Sequence, residues 1–286
     1  MKFADLHLHT VFSDGTLTCE ELVSRAGIAG LSAIAIVDHD SVAGFAQAKE
    51  AGLKNSVEVL SGVELTAEHE GMEIHLLGYL FDCAYPPLLE ELEALRKNRV
   101  ERIYKISDKL KKEMDVELDP DSVFSLAKKG TVGRLHVARA MVNVGLVNSV
   151  YEAFYKYIGD RCPGYVSGFK LTPTEAIKLI KSAGGIPVLA HPYTLRRDEL
   201  IPEFVKMGLM GLEVHYSEHS QGMVNFYLDL ARKFNLLVTG GSDFHGEAKP
   251  DVKLGLVKIP YELVEKLKDA QKLLKKSGTV PDFFKI

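Results

Sequence analysis

Histidine and acidic residues recur at the ends of the apolar segments of this chain, and this pattern constrains the fold and the chemistry most. Nine such residues lie at or just beyond the predicted strands: His7, His9, Asp14, His39, Glu64, His75, His191, Asp243 and His245. In a β/α barrel the carboxyl ends of the strands converge on one face, where active sites are built. We therefore expect these distant residues to meet.

Short apolar segments rich in β-branched residues predict about seven strands. They cover residues 2–8, 33–38, 57–64, 73–79, 186–190, 211–215 and 236–240. Helical segments lie between most of them, and two begin with capping boxes, Thr18 to Glu21 and Thr172 to Glu175. The alternation of strands and helices predicts an α/β fold with a parallel sheet. A chain of 286 residues can form one such barrel with an insertion.

The segment from 86 to 165 departs from this alternation because it shows helical patterns only. Turn residues mark both of its borders, Pro86-Pro87 and Pro163-Gly164. We predict a barrel domain made of residues 1–85 and 166–286, with residues 86–165 as a helical insertion that covers the substrate.

Composition excludes several classes of protein. Hydrophobic residues make up 46% and charged residues 26% of the chain, which is typical of a globular protein with a sizeable core. A net charge of −4 argues against a broad nucleic-acid surface. Cys19, Cys83 and Cys162 show no CxxC spacing, so neither a disulfide framework nor a zinc finger is indicated. Without an apolar leader or spanning segment, we expect a soluble, cytoplasmic protein with no membrane association.

The spacing of the candidate residues suits metal ions. In His7-Leu8-His9 and Asp243-Phe244-His245 the outer side chains point to the same side of an extended chain, so each pair can bind metal together. Asp14, in Ser13-Asp14-Gly15, adds an oxygen donor. Nine donors are too many for one ion and suit two or three ions about 3.5 to 4 Å apart, with Glu64 as our choice of bridge.

Mixed imidazole and carboxylate ligation favours Mn, Zn or Fe, with Mg as a further option, and does not separate them. A single histidine beside a strand is more often a hydrogen-bonded core or rim residue. Six placed this way, three of them in HxH and DxH pairs, favour a metal centre. Asp5, Asp38 and Asp40 adjoin these residues and either orient the imidazoles or cap turns.

Five motifs carry a resemblance to a known family. They are Asp5-Leu6-His7-Leu8-His9-Thr10, Val37-Asp38-His39-Asp40, Gly62-Val63-Glu64, Ala190-His191-Pro192 and Gly241-Ser242-Asp243-Phe244-His245. In this order and with these separations, they resemble the PHP (polymerase and histidinol phosphatase) family over most of the chain. The segment Gly133 to Arg139 looks like the branch of nucleoside 3′,5′-bisphosphate phosphatases that also trim RNA from its 5′ end.

The resemblance implies a distorted seven-stranded (β/α) barrel with a trinuclear centre. One ion would take His7, His9, Glu64 and Asp243, a second Glu64, His75 and His191, and a third Asp14, His39 and His245. Some relatives have histidine where this chain has Asp14. A carboxylate is a harder ligand than imidazole and slightly favours Mn or Mg for the third ion.

A metal centre of this kind predicts a phosphoesterase in which metal-activated hydroxide attacks phosphorus in line. The residues closest to that chemistry would be His7, His9, Glu64, His191 and Asp243. Residues 96–139 hold 12 Lys and Arg against 7 Asp and Glu, which implies an anionic ligand, most simply a phosphorylated small molecule such as a nucleotide, or a short RNA. Candidate substrate contacts are Arg134, His136, Arg139 and Arg196.

Arg134 stands out because it follows Gly133 and opens an otherwise apolar helix, where a guanidinium could bind a second phosphate. A surface arginine is the equal alternative. Histidinol-phosphate phosphatase is a second enzymatic hypothesis, although the large insertion counts against it. A non-catalytic PHP scaffold for a polymerase, and an amidohydrolase acting on a C–N bond, are further alternatives. The sequence indicates no obligate protein partner.

Overall fold

The computed structural model of the chain describes residues 1–128, 130–168, 171–277 and 283. Two sheets form its centre. The first has the strand order β3-β2-β1-β9 and the second the order β4-β5-β6-β7-β8. Their strands are β1 (Phe3–Leu8), β2 (Ala33–Ile36), β3 (Glu58–Leu60), β4 (Gly62–His69), β5 (Met72–Tyr79), β6 (Ile186–Leu189), β7 (Gly211–Tyr216), β8 (Leu237–Gly241) and β9 (Ile259–Pro260).

Helices connect and cover these strands. They are α1 (Cys19–Ile28), α2 (Phe45–Asn55), α3 (Pro86–Met114), α4 (Pro120–Ala127), α5 (Arg134–Asn143), α6 (Val150–Ala153), α7 (Pro173–Ser182), α8 (Ile201–Met207), α9 (Gln221–Lys233) and α10 (Tyr261–Ser277). A π-helix, Phe154–Ile158, follows α6 directly. Both predicted capping boxes are present, at Thr18 with Glu21 and at Thr172 with Glu175. In the part of the chain that is described, no helix is both long and apolar enough to cross a membrane.

Each predicted strand has a counterpart, but the prediction of a parallel sheet is wrong for the strands around β5. This strand pairs antiparallel with both β4 and β6. Only Glu70 and Gly71 separate β4 from β5, and both have a positive φ, at 50° and 77°. Such a two-residue turn joins antiparallel neighbours, because a parallel connection needs a crossover of a dozen or more residues.

Two further differences concern short elements. The predicted strand 57–64 is divided at Ser61, so that β3 lies in the first sheet and β4 in the second. The strand β9 spans two residues, Ile259 and Pro260, which is too short for a periodic signal.

The two sheets approach each other at two places. Isolated bridges join Leu8 to Phe244 and His39 to Glu64. At the first junction the His9 amide donates to the Phe244 carbonyl at 3.0 Å, and the Asp243 amide donates to the His7 carbonyl at 2.9 Å. These are single bridges and not continuous ladders, so the result is a mixed α/β fold of two adjoining sheets. The junctions lie where the candidate ligands are.

Between β5 and α7, the described residues form helices α3 to α6 and the π-helix, without a strand. Their apolar side chains form a cluster of their own, which includes Ile103, Ile106, Leu110, Val137 and Met141. This cluster is distinct from the clusters that pack between the sheets and the surrounding helices.

Two buried arginines fasten α3 to the second sheet. Arg99 Nε donates to Asp40 Oδ2 at 2.6 Å, and its Nη2 donates to the Thr66 hydroxyl at 2.5 Å. Arg102 Nη1 lies 2.7 Å from Glu73 Oε2. A buried charge is tolerated only with such a partner, so these bonds fix the position of the helical segment over the strands.

Gly241 allows the close approach of β8 to β1. A methyl group on its Cα would lie 2.3 Å from the His7 amide nitrogen and 2.4 Å from the His7 Cβ. Both atoms belong to a buried strand and have little freedom to move. Only glycine therefore fits at this junction.

We predict that Gly241→Ala lowers the free energy of unfolding by about 1–3 kcal/mol, the usual cost of overpacking a closely packed site. Gly222→Ala is the matched control, because a methyl group there, in α9, has only the Ser220 hydroxyl within 4 Å, at 3.8 Å. In a helix this second change is neutral or stabilises by up to about 1 kcal/mol. Urea denaturation measures both, and equal midpoints for Gly241→Ala and the unaltered protein would contradict the close junction.

Candidate metal centre

The structure brings all nine predicted ligands together at one end of the two sheets. Glu64 lies at the centre, with 1% of its side chain exposed. Its Oε2 lies 3.4 Å from His7 Nε2, 3.2 Å from His9 Nε2 and 3.2 Å from His39 Nδ1, and its Oε1 lies 2.8 Å from His75 Nδ1 and 3.2 Å from His191 Nε2. One buried carboxylate thus faces five imidazoles.

The remaining ligands complete the cluster on the side of the first sheet. Asp243 Oδ1 lies 3.4 Å from His7 Nε2 and 3.3 Å from His9 Nε2. Asp14 Oδ1 lies 3.2 Å from His245 Nε2, and its Oδ2 lies 3.6 Å from His39 Nε2. Three groups of donors have ligand atoms close enough for one ion each: His9, Asp14, His39 and His245; His7, His9 and Asp243; and His39, Glu64 and His75.

The hydrogen bonds around the cluster determine which ring nitrogen faces it. His7 Nδ1 donates to Glu213 Oε1 at 2.9 Å, His75 Nε2 donates to Glu73 Oε1 at 3.0 Å, and His245 Nδ1 donates to the Asp243 carbonyl at 2.8 Å. The His191 Nδ1 lies 3.0 Å from the Thr194 hydroxyl, which itself donates to the His191 carbonyl. Each ring therefore turns its other nitrogen, with its lone pair, towards the carboxylates.

A lone pair on a ring nitrogen and a carboxylate oxygen 2.8–3.4 Å away repel each other, so either a proton or a metal cation must lie between them. Three buried side-chain atoms without a hydrogen-bond partner also indicate that a cation belongs in the cluster. His9 Nε2, His39 Nδ1 and Asp14 Oδ1 are buried and have no hydrogen-bond partner within the described ranges. Buried polar atoms without a partner cost free energy, and metal coordination would satisfy them. The donor set therefore fits divalent cations.

The acidic ligands are held in their ionised form. Burial alone would raise the pKa of Asp14, but His39 and His245 hold it well below its usual range. For Asp243 burial also opposes ionisation, and Lys249 together with His245 lowers the pKa well below its usual range. Ionised carboxylates are the form that binds metal.

The aspartates next to the motif histidines cap backbone and do not orient imidazoles. Asp5 accepts from the Ser242 amide at 2.8 Å, and burial raises its pKa to about 6. Asp38 accepts from the Thr10 amide at 2.7 Å and from two hydroxyls. Asp40 accepts from the Thr66 amide at 2.8 Å and pairs with Arg99. Of the two roles predicted for these aspartates, orienting imidazoles or capping turns, capping is the one observed.

Glu73 and Glu213 are the orienting carboxylates that sequence reasoning missed. Each is the single acid of its strand, β5 or β7, and Glu73 precedes His75 by two residues, which places both side chains on one face. Glu213 also accepts from the His191 amide at 2.7 Å. An isolated acid in a buried strand was the signal that could have identified them.

Two ligands occupy unusual backbone conformations. His191 has a φ of 25° and Asp243 a φ of 56°, values that are costly for residues with a side chain. Strain of this kind persists only where the surroundings enforce it, and it concentrates at functional sites. The loops after β6 and β8 are therefore built to aim these two side chains.

Six members of the cluster line a cavity of about 700 Å³, which is the size of a ligand pocket: Asp14, His39, His75, His191, Asp243 and His245. The other three, His7, His9 and Glu64, are buried. Arg134 lines this cavity, as expected. Its Nη2 lies 3.2 Å from Glu73 Oε1, its Nη1 donates to Asp160 Oδ1 at 2.7 Å, and its guanidinium carbon lies 5.3 Å from the centre of the Tyr165 ring. Arg134, the arginine predicted to bind a second phosphate, thus lines the same cavity as the candidate metal ligands.

The other three predicted substrate contacts do not line this cavity. His136 is buried, and its Nδ1 accepts from the Gly133 amide at 3.1 Å, so it caps the start of α5. Burial lowers its pKa to about 4. Arg139 is half-buried further along α5, and Arg196 is exposed after the turn Pro192–Leu195.

Lys249 and Tyr216 also contact the centre and were not predicted. Lys249 Nζ lies 2.7 Å from Asp243 Oδ2, and the Tyr216 hydroxyl donates to the same oxygen at 2.9 Å. Both residues line the cavity. Together they fix the rotation of the Asp243 carboxylate and leave its other oxygen to face His7 and His9.

Comparison with known proteins agrees with this geometry. The PHP domain matches residues 5–129. A 5′-3′ exoribonuclease of Haemophilus influenzae is 34% identical over 85% of this chain and 90% of its own length. A 3′,5′-nucleoside bisphosphate phosphatase of Chromobacterium violaceum is 32% identical over 88% of this chain and 91% of its own length.

A solved structure from Bifidobacterium adolescentis, whose proposed activity is that of a metal-dependent phosphoesterase, superimposes with a TM-score of 0.84. It is 33% identical and the alignment covers 92% of this chain and 94% of that one. The ligand cluster, the matched domain and the near full-length relatives lead to one conclusion. The chain belongs to the PHP family of metal-dependent phosphoesterases.

Proposed function

We propose that this phosphoesterase removes the 3′-phosphate of nucleoside 3′,5′-bisphosphates and also trims short RNA from its 5′ end. The observation that supports this proposal most is that members of the ligand cluster and Arg134 line the same cavity. A substrate with two phosphates can contact both. The names of the Haemophilus influenzae and Chromobacterium violaceum relatives, an exoribonuclease and a bisphosphate phosphatase, support this assignment.

The cluster would hold two or three divalent ions, with Mn, Zn or Fe preferred and Mg as a further option. The proposed ligands are His7, His9, Glu64 and Asp243 for one ion, Glu64, His75 and His191 for a second, and Asp14, His39 and His245 for a third. When bound, such ions lower the pKa of water and neutralise the charge that develops on the phosphate oxygens.

The protein's own groups position the reactants. Glu213 and Glu73 hold His7 and His75 in the orientation that presents a free nitrogen to the cluster. Arg134 would bind the second phosphate, for which its planar fork is suited, in exchange for part of its contact with Asp160. Holding a substrate at two points restricts its orientation and contributes to rate. His136, Arg139 and Arg196 stay predictions as substrate contacts.

We further propose that the two sheets act as a distorted seven-stranded barrel of residues 1–85 and 166–286, and that residues 86–165 form a lid. The separate apolar cluster of the helical segment and its contribution of Arg134 to the cavity support the lid. A cytoplasmic location and the lack of an obligate protein partner stay predictions from the sequence.

We expect manganese-reconstituted enzyme to release phosphate from adenosine 3′,5′-bisphosphate, and mononucleotides from a short 5′-phosphorylated RNA. Chelation should abolish both activities, and added manganese should restore them. Asp243→Ala should reduce turnover at least about 100-fold, because it removes the carboxylate that would bind the same ion as His7 and His9. Phosphate release and chromatography of the products measure these effects.

Histidinol phosphate and AMP are the comparison substrates in the same assay. Turnover confined to histidinol phosphate would refute the nucleotide assignment and leave the metal centre intact. No turnover of any ester would favour a non-catalytic PHP scaffold.

Arg134→Ala should raise KM for adenosine 3′,5′-bisphosphate by about 10-fold or more, the effect of losing a charge-assisted hydrogen bond. For 3′-AMP, which lacks the second phosphate, we expect a change of less than about 3-fold by the same argument. Arg134→Lys should be intermediate, because lysine keeps the charge and loses the planar fork. Steady-state kinetics on both substrates provide the measurement.

The matched control is Arg232→Ala, which removes an exposed arginine that bonds Asp229 on α9. It should leave both KM values unchanged. An Arg134→Ala enzyme with equal losses on 3′-AMP and the bisphosphate would show that Arg134 supports the fold of the site and does not bind the second phosphate.

A further inference from the structure

Two tyrosines of the helical segment stack on each other in solvent. Tyr151 is 76% exposed and Tyr155 is 70% exposed. Their ring centroids lie 6.0 Å apart, and their planes differ by 7°. A parallel, offset pair of this kind is a favourable aromatic arrangement, and it restricts the orientation of the Tyr151 ring. Most of the surface of Tyr151 nevertheless faces water.

This pair lies at the cavity that holds the ligand cluster. Tyr151 lines the cavity together with Val150 and Phe154 from the same segment. Val252 and Leu256, from the loop beyond Lys249, line it as well. The cavity therefore combines a strongly polar floor of histidines and carboxylates with an apolar and aromatic portion. A molecule that fits both regions would carry phosphates, for Arg134 and for the metal ions proposed above, and a flat apolar group for the aromatic portion.

Local backbone structure sets the position of these rings. The π-helix Phe154–Ile158 begins directly after α6 and ends where the Gly159 amide donates to the Phe154 carbonyl at 2.9 Å. π-Helical turns are rare overall, and those that do occur are often found at functional sites. This turn is followed by Asp160, which bonds Arg134. The aromatic pair and the guanidinium are thus held by one short segment.

We propose that Tyr151, supported by Tyr155, stacks on the nucleobase of the substrate. This inference deepens the proposed function and rests on it, because it supplies the contact that makes the substrate a nucleotide and not another bisphosphate. The two phosphates of the substrate would face the cluster and Arg134, and the base would lie against the exposed ring. Stacking on an aromatic ring accepts every base, since each has a π face.

The same chemistry sets an order of preference. Purines offer a larger flat surface than pyrimidines, so adenosine and guanosine nucleotides should bind more tightly than uridine and cytidine nucleotides. Since no sequence-specific hydrogen bond to a base is involved, the difference between adenosine and guanosine should be small.

The test compares AMP, the product of 3′-phosphate removal, with ribose 5-phosphate, the same molecule without the base. Calorimetry on manganese-loaded enzyme measures both affinities. Tyr151→Ala should weaken AMP binding by about 10-fold, the usual effect of removing a stacking ring, and should change ribose 5-phosphate binding by less than about 2-fold. Tyr151→Phe should restore AMP binding, because phenylalanine keeps the stacking surface.

Tyr104→Ala is the matched control, since Tyr104 is a half-exposed tyrosine of α3 that does not line this cavity. It should change neither affinity. Equal weakening of both ligands by Tyr151→Ala would reduce Tyr151 to a structural role and overturn the inference. Unchanged AMP affinity in this variant, or no AMP binding to the unaltered enzyme, would overturn it as well.

Turnover separates this inference from the proposed function. If AMP binding depends on Tyr151 but adenosine 3′,5′-bisphosphate is not hydrolysed, the stacking site stands and the proposed reaction fails. If the enzyme self-associates and Tyr151→Ala makes it monomeric with unchanged AMP affinity, the aromatic pair is a protein contact and not a base site.

Discussion

The buried carboxylate of Glu64 is the constraint on which the rest of this structure depends. Transfer of an ionised carboxylate into a protein interior is costly unless it is neutralised. Here the compensation comes from the protons or metal cations that lie between this carboxylate and five surrounding imidazoles, which strands and loops of both sheets supply. The meeting of the two sheets is therefore tied to the formation of this cluster, and a residue that is not itself a candidate ligand, Gly241, is required to allow the approach.

A second set of buried charges places the helical segment. Arg99 and Arg102 of α3 form ion pairs with Asp40 and Glu73, which belong to the loop after β2 and to β5. Removing one partner of such a pair leaves a buried charge uncompensated, and this typically costs 3–5 kcal/mol. The segment is consequently held at a defined distance from the cluster, which is what Arg134 needs to face the same cavity.

The ligand cluster was predictable from sequence because its signal is local. The spacings in His7-Leu8-His9 and Asp243-Phe244-His245, and the position of each ligand at a strand end, already contain the geometry. Strand direction around β5 was less accessible, because it depended on recognising Glu70-Gly71 as a hairpin turn. Glu73 and Glu213 had only a weak signal, an isolated acid in a buried strand, and the contact of Lys249 with Asp243 depends on how the loop after β8 folds. His136 caps the start of α5, a role that the sequence alone does not separate from a substrate contact.

Glu73 links the end of the cavity that holds the candidate metal ligands to the end that holds Arg134. Its carboxylate bonds the His75 ring on one side and lies 3.2 Å from the Arg134 guanidinium on the other. An anion that draws Arg134 away from Glu73 as well as from Asp160 would leave Glu73 with more negative charge to share with His75, which would make that imidazole a stronger donor to a cation. Thermodynamic linkage requires the reverse effect to be of equal size, so a cation at His75 changes the affinity of Arg134 for an anion by the same factor. Occupancy of the two ends is therefore a single coupled equilibrium, and an affinity measured for either ligand has meaning only at a stated concentration of the other.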